Sequence, residues 1–522
     1  MTRHGAVLVA LLAVLAVMAF GLARGTYAAG GSDSSCYALM AEAFAQGEIQ
    51  PYSHLALAAP WPDAVRTFAP AGFIPSSLVP GAASPICAPG FSLLLAPFRW
   101  IAGRDGIFVV TPIAGALLVW LSFVVARWLV GPWTGVAAAV IVATMPVFLY
   151  QVTQPMNDVV VTAMWMAVLA SSFAAEPSRP WLMGALTGLA TLVRPNLAPA
   201  AIVVGIWLIV VAGRYDTPML ASARMALRMR HAIAFGLAAF PSVVILFALN
   251  TRLYGHPLQS GYGRAAELFS VDNVMVNVQQ YGRVLFETQL GLPLLGVLAL
   301  LLPRRVRATV FLALGVSFAT LVVYLLYRPY SEWWYLRFLL PAVAPLTVLA
   351  LAALSSGLRG RIRMPAARTS IAMFAVTALV WFGVATAGRR QAFELQQLES
   401  RFRRSGHTVR DQLPANAFLI TVWQSGTVRF HGDRPSLLWD SLDPSSLDQA
   451  VTWLSSQGFE PYLLLERWEE PRFRQRFEGR STLAQLDWPP RFDVVRQVRI
   501  FKPSDRELYM RGALVPTAYI LR

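Results

Sequence analysis

Apolar residues in this 522-residue chain fall into long blocks, with neither the two-residue alternation of a half-buried strand nor the narrow stripe of a surface helix. The blocks lie near 5–24, 106–126, 132–151, 158–175, 181–194, 196–212, 232–250, 288–302, 308–327, 336–356 and 370–388. Most approach the roughly 20 apolar residues that one bilayer crossing requires. The pattern therefore predicts a polytopic α-helical membrane protein with about 11 transmembrane helices. After residue 388 the pattern changes. The strand-like runs "AFLITVW" (417–423) and "PYLLLERW" (461–468) flank a helical "SSLDQAVTWLSSQG" (445–458), which predicts a small soluble α/β domain. The expected division is a membrane module over 1–388 and a C-terminal domain over 389–522.

Three segments between blocks are long enough to fold outside the bilayer: about 25–105, 251–287 and the C-terminal region from 389. Within the first, "CAPGFSLLLAPFRWIAG" (87–103) is too short to span and reads as a re-entrant or interface-lying helix. Composition agrees with this class, since 56% hydrophobic and 14% charged residues do not suit a soluble enzyme of this length. The net charge of +16 comes almost wholly from arginine, Lys502 being the sole lysine. With 11 crossings, the arginine-rich loops 213–231, 303–307 and 355–368 all fall on one side. By the positive-inside rule that side is cytoplasmic, so the basic charge needs no nucleic-acid partner. The N-terminus is then inside and the C-terminus outside. "TYA" at 26–28 resembles a signal cleavage site, but the apolar run Ala6–Ala23 exceeds a usual signal core and predicts a retained anchor. The expected location is a bacterial inner membrane, with the outward segments in the periplasm.

Candidate chemistry gathers at the outward ends. Asp33, in "GGSDSSCY" (30–37), stands where Ser32 or Asp33 could cap a short helix ending near Gly47. Asp158, in "QVTQPMNDVVV" (151–161), is a second outward acid at the mouth of a span, where charge is costly and usually has a use. Arg194 lies at a proline break in "TLVRPNLAP" (191–199), which would leave free backbone donors near a site for an anion. Arg337 follows the aromatic residues Trp333, Trp334 and Tyr335, and reads either as a snorkelling side chain or as an anion ligand. His54 and His256 are scattered outward histidines without ligand spacing. Cys36 and Cys87 share the first outward segment, either bridged or as two free thiols, and neither is paired with a histidine.

The ordered series "D-x-x-x-Y" at Asp33 and Tyr37, "APGFSLLLAP", "QPMND", "LVRPN", "YGHPLQSGYG" (254–263) and "WWYLRFLLP" resembles GT-C superfamily glycosyltransferases. These use polyprenyl-phosphate sugars and include relatives of the protein O-mannosyltransferases and the lipid A aminoarabinose transferases. The resemblance covers roughly residues 1–390. It implies inverting transfer of a hexose or pentose from a polyprenyl-phosphate donor to a periplasmic glycolipid, polysaccharide or protein. It further implies Asp33 as catalytic base, Asp158 as the second carboxylate of the catalytic site, binding a metal or orienting the first loop, and Arg194 and Arg337 on the donor phosphate. Tyr37, Tyr262 and Tyr335 would line the substrate site. A divalent cation, Mg or Mn, would be held by Asp33 and Asp158 in those members that use one. Many members have a second acid directly after the first, whereas here Ser34 follows Asp33. Glu42 and Asp63 are the available substitutes, but Glu42 lies about two and a half turns away and shares no helix face with Asp33. The alternatives are a transporter or flippase, or an enzyme resembling an O-antigen ligase or polymerase.

Overall fold

The computed structural model describes residues 3–173, 179–211 and 221–521. Part of the expected cytoplasmic loop 213–231 and the ends of the blocks 158–175 and 196–212 lie outside the described residues. By internal contacts the chain forms two compact units. A helical unit comprises Met1–Gly25, Phe108–Phe247 and Gly263–Leu395; a sheet unit comprises Thr26–Ile107, Ala248–Tyr262 and Gln396–Arg522.

Six described helices are long and apolar enough to cross a membrane: His4–Ala23, Arg104–Leu129, Ala221–Tyr254, Arg304–Leu326, Trp333–Arg361 and Pro365–Arg389. The pair Asn273–Gln289 and Leu292–Leu301, bent by 89°, raises the number to seven if it counts as one span. Four further apolar helices, Pro132–Ala143, Asn157–Ser171, Pro180–Val193 and Pro195–Val210, are shorter than a full crossing. By length and composition alone, six or seven of the 11 expected spans are thus long enough among the described residues, and the four shorter helices lie at the others.

Two blocks differ from expectation for local reasons. Block 132–151 is divided between helices Pro132–Ala143 and Pro146–Gln151, because Met145 before Pro146 takes the extended conformation that proline imposes on its predecessor. Block 288–302 is a ten-residue 3₁₀ run turned sharply from Asn273–Gln289 by Leu290 and Gly291, both left-handed (φ 52° and 68°). Helix Asn273–Gln289 also occupies much of the segment read as an outward loop.

In the helical unit, Trp333–Arg361 is mostly buried, whereas the described parts of Ala221–Tyr254 and Pro365–Arg389 expose apolar surface along most of their length. Helix Pro180–Val193 approaches the long helix closely through glycine. A Cβ at Gly188 would fall 2.9 Å from the Ala239 carbonyl oxygen. Such contacts let backbones meet where no hydrophobic driving force separates helix from lipid.

The sheet unit holds two sheets. Strands β1 (Phe73–Pro75) and β2 (Ala83–Pro85) form an antiparallel pair. Strands β3 (Ala417–Ile420), β4 (Ser436–Leu437), β5 (Glu460–Glu466), β6 (Phe492–Val494), β7 (Val498–Phe501) and β8 (Ala518–Ile520) form one sheet in the order β4-β3-β5-β7-β6-β8. β3 is parallel to both β4 and β5. The domain boundary expected at 388/389 lies at 395/396, and the first outward segment groups with the C-terminal sheet rather than with the helices. The cause is a shared core: Ala56, Trp61, Ala64 and Phe68 pack with Phe418, Trp439, Leu463 and Phe501. Burying such aromatic surface stabilises by roughly 1.5–3 kcal/mol per side chain, which a segment this short cannot obtain alone.

Candidate functional site

The helical unit concentrates its buried charge in one place. Helix Asn157–Ser171 begins after extended Met156, which sets Asp158 in its first turn, with 1% of the residue exposed. Helix Pro180–Val193 stops at Arg194 because Pro195 cannot continue its ladder. The Asn157 side-chain amide donates to the Val193 carbonyl at 3.2 Å and fixes one helix start against the other helix end. Arg194, itself buried, then donates directly to Asp158 Oδ1. Arg337 comes from the 3₁₀ run Trp333–Leu339, and its Nη1 stands 3.9 Å from Asp158 Oδ2. Oδ2 has no hydrogen-bond partner among the described residues.

Aromatic rings cover these cations. The Arg194 guanidinium lies 5.0 Å from the Phe338 ring and 5.2 Å from Tyr324, and that of Arg337 lies 5.2 Å from Phe338 and 5.3 Å from Tyr335. Tyr335 stacks on Tyr330 at 4.2 Å. Tyr281 is buried within electrostatic reach of Arg194, Arg337, Tyr324 and Tyr330. Two guanidinium groups converge on one carboxylate in an environment that penalises unpaired charge. A planar, bidentate donor set of this kind suits an anion with several oxygens.

Asp33 belongs to the sheet unit. It is the first residue of helix Asp33–Ala45 and is partly exposed. Ser32 occupies the cap position but makes no side-chain cap bond, so the expected capping by either residue is replaced by an acid in the first turn. There the helix dipole favours negative charge. Gly31 (φ +61°) supplies the turn into the helix. Cys36 and Cys87 are disulfide-bonded, tying this helix to the segment that opens helix Pro89–Ala102. The loop before Asp33 is held from the C-terminal part of the same unit. Ala29 N–H donates to His431 Nε2 at 3.1 Å, Thr427 Oγ1 donates to the Ala29 carbonyl at 2.7 Å, and Ala71 N–H donates to Ser425 Oγ at 2.9 Å. Burial pushes the His431 imidazole down to about 3, which keeps it neutral and able to accept.

The remaining sequence candidates separate. Tyr37 is 5% exposed and packs edge-on against Phe91 at 4.9 Å. Tyr262 is exposed and Tyr335 joins the arginine cluster. Glu42 pairs with Arg99, which accounts for it structurally, and Asp63 is an exposed left-handed residue before helix Ala64–Phe68. His54 and His256 are exposed and isolated from each other in role: His54 packs on Tyr52, and His256 Nδ1 accepts the Leu258 N–H at 3.2 Å. Among the described residues no three His, Cys, Asp or Glu side chains gather as a metal-ligand group. Asp158 is engaged by arginine, and the positive charge around it opposes a cation. The donor set expected for Mg or Mn therefore does not fit at Asp158.

Sequence reading missed Tyr324, Phe338 and Tyr281. The signal was the run of aromatics at 324, 327, 330, 333–335 and 338, which also reads as an interfacial belt.

Comparison with known proteins follows this geometry. Residues 87–245 match the family model described as dolichyl-phosphate-mannose-protein mannosyltransferase. No curated sequence matches the chain. Among solved structures, apo ArnT from Cupriavidus metallidurans is similar with a TM-score of 0.58 at 13% identity, covering 91% of this chain and 95% of that one. The same protein bound to undecaprenyl phosphate gives 0.54 at 14% identity, with the same shares. The Archaeoglobus fulgidus oligosaccharyltransferase in its apo form gives 0.52 at 12% identity, covering 93% of this chain and 73% of that one. The chain is a multi-pass membrane protein that shares the fold of these solved structures, and its residues 87–245 match the protein-mannosyltransferase family model.

Proposed function

We propose that this protein transfers a sugar from a polyprenyl-phosphate donor to an acceptor hydroxyl, with inversion at the anomeric carbon. The observation that carries the reading is the buried Asp158–Arg194–Arg337 cluster, where two cations meet one carboxylate beneath aromatic rings. Undecaprenyl phosphate, the ligand of the similar ArnT structure, has the charge and shape such a cluster accepts. Asp158 orients Arg194, and the two guanidinium groups stabilise the phosphate as the bond to the sugar breaks.

The acceptor oxygen attacks C1 of the sugar, the C1–O bond to phosphate breaks, and polyprenyl phosphate leaves with the bonding pair. Asp33 takes the acceptor proton and returns it to water. Because phosphate is a weakly basic leaving group, no second carboxylic acid has to protonate it, unlike in glycoside hydrolysis. No step runs through a metal. Donor binding is thus assigned to the helical unit and proton transfer to the sheet unit. In this reading the chain crosses a bacterial inner membrane 11 times, with its N-terminus cytoplasmic and its C-terminus periplasmic, an orientation supported by the arginine-rich loops. The acceptor is a glycolipid, a polysaccharide or a protein.

The test supplies protein-containing membranes with polyprenyl phosphates carrying labelled sugars and follows the label into lipid, polysaccharide and protein fractions. Wild type should transfer label from at least one donor, and Arg194→Ala should weaken dependence on donor concentration. Donor dependence unchanged in that variant would remove the phosphate role of the cluster.

A further inference from the structure

The topology of the C-terminal sheet marks one of its ends as a candidate binding site. From β3 the chain runs through helix Ser425–Phe430 to β4 on one side. From β5 it runs through helix Glu470–Phe477 to β6 on the other. The carboxyl ends of β3 and β5 therefore flank a point where successive connections diverge, which is where open α/β sheets bind ligands. The residues there are unlike the rest of the sheet's rim. Trp423 follows β3 and Trp468 follows β5, and their indoles meet edge to face at 5.9 Å, with Trp468 48% exposed. Trp468 is held in place by its Nε1, which donates to Glu466 at 2.6 Å, and the Arg472 guanidinium stands 5.6 Å from its ring. Beneath them, buried Glu469 accepts the N–H of Glu466 at 2.9 Å and that of Trp423 at 3.3 Å. At the ends of β3 and β4, the buried atoms Thr421 Oγ1 and Trp439 Nε1 have no hydrogen-bond partner among the described residues.

This end of the sheet also adjoins the base assigned above. A Cβ at Gly31 would touch the Trp423 indole at 3.4 Å, and Gly31 is two residues before Asp33. Helix Ser425–Phe430 packs directly on helix Asp33–Ala45, closely enough that a side chain on Gly426 would collide with Ser35.

We propose that the carboxyl ends of β3 and β5 form the acceptor subsite, and that it takes a saccharide, stacked on Trp468 and Trp423 with a hydroxyl directed to Asp33. This deepens the transferase reading and rests on it. A pyranose offers an apolar C–H face to an indole and hydroxyls to the polar atoms around it, the mixture of few polar groups and aromatic lining that small-ligand sites use. A peptide acceptor fits less well. Extended peptides add to open strand edges, whereas β3 is paired with β4 and β5, and β5 with β3 and β7.

The test uses the full-length protein in lipid nanodiscs on an array of immobilised bacterial surface glycans and a parallel array of peptides, with Trp468→Ala and Trp468→Phe beside wild type. Wild type should bind glycans, Trp468→Ala should bind them about tenfold more weakly, and Trp468→Phe should recover most of the affinity because the ring is kept. Binding to peptides only, no glycan binding by wild type, or equal glycan binding by wild type and Trp468→Ala overturns the assignment. Binding of undecaprenyl phosphate to wild type, measured on the same nanodiscs, reports on the transferase reading separately.

Discussion

Glu466 and Asp505 of the sheet unit are held differently from Asp158 of the helical unit. In the sheet unit, Glu466 accepts from Arg401 Nε at 3.1 Å, Gln424 at 2.8 Å and Trp468 at 2.6 Å, so both its oxygens are used. Asp505 takes two bonds from Arg491. In the helical unit, Asp158 has one oxygen bonded and the other only near a second cation. A completed network serves folding, because each buried lone pair is satisfied. An incomplete one costs stability, because a buried lone pair is left unsatisfied.

That contrast can be broken or sharpened by substitution. The largest effect is expected at Asp33. Asp33→Asn should reduce transfer by about 10²–10⁴-fold while leaving the Cys36–Cys87 bond and the thermal transition intact. Transfer near the wild-type rate would remove Asp33 as base. Next is Arg194→Ala, which strands the Asp158 carboxylate and should cost roughly 3–5 kcal/mol in unfolding measurements. Adding Asp158→Asn should recover most of this stability without recovering donor binding, a double-mutant signature that an ordinary structural pair would not give. Cys36→Ser should cost the sheet unit about 2–4 kcal/mol, read as a lowered denaturation midpoint.

A smaller effect depends on pH. Burial pushes the Glu469 carboxyl up to about 7 from an ordinary 4.5. The native state then holds a proton that the unfolded chain releases. Its contribution is fully present below about 4.5 and is lost as pH rises through about 7, amounting to about 3 kcal/mol. Glu469→Gln should flatten this dependence in melts between pH 5 and 8, and an unchanged slope would assign the dependence to other groups. The smallest effect belongs to the rim. Arg506→Ala, which breaks the pair with Asp487, should change stability by less than about 1 kcal/mol.

Much of the helical unit was legible in the sequence, because apolar blocks and proline breaks are local signals. The end of a helix at Arg194 followed from Pro195, and the start of a helix at Asp33 followed from its glycine and serine neighbours. The contact between Asp158 and Arg194 was not legible as a bond, since tertiary packing brings together residues 36 apart. The same holds for Tyr324 and Phe338 over Arg194, whose side chains look in sequence like any interfacial aromatics. The 89° bend at Leu290–Gly291 was missed because the left-handed leucine carries no signal of its own. In the sheet unit, β3, β5 and the helix between them were visible as alternation and periodicity. The union of that sheet with residues 26–107 was not, because a shared core leaves no mark on either segment alone.

That union has a consequence for synthesis. Trp61 and Phe68 leave the ribosome early, yet the strands that cover them, β3, β5 and β7, come from the last quarter of the chain. At typical elongation rates the interval is on the order of tens of seconds. Throughout it, the first outward segment exists with exposed aromatic surface and with both cysteines already made. Its disulfide can therefore close before its core does, and a ribosome that stalls before β3 leaves behind a cross-linked but unfolded half of the unit, open to proteolysis.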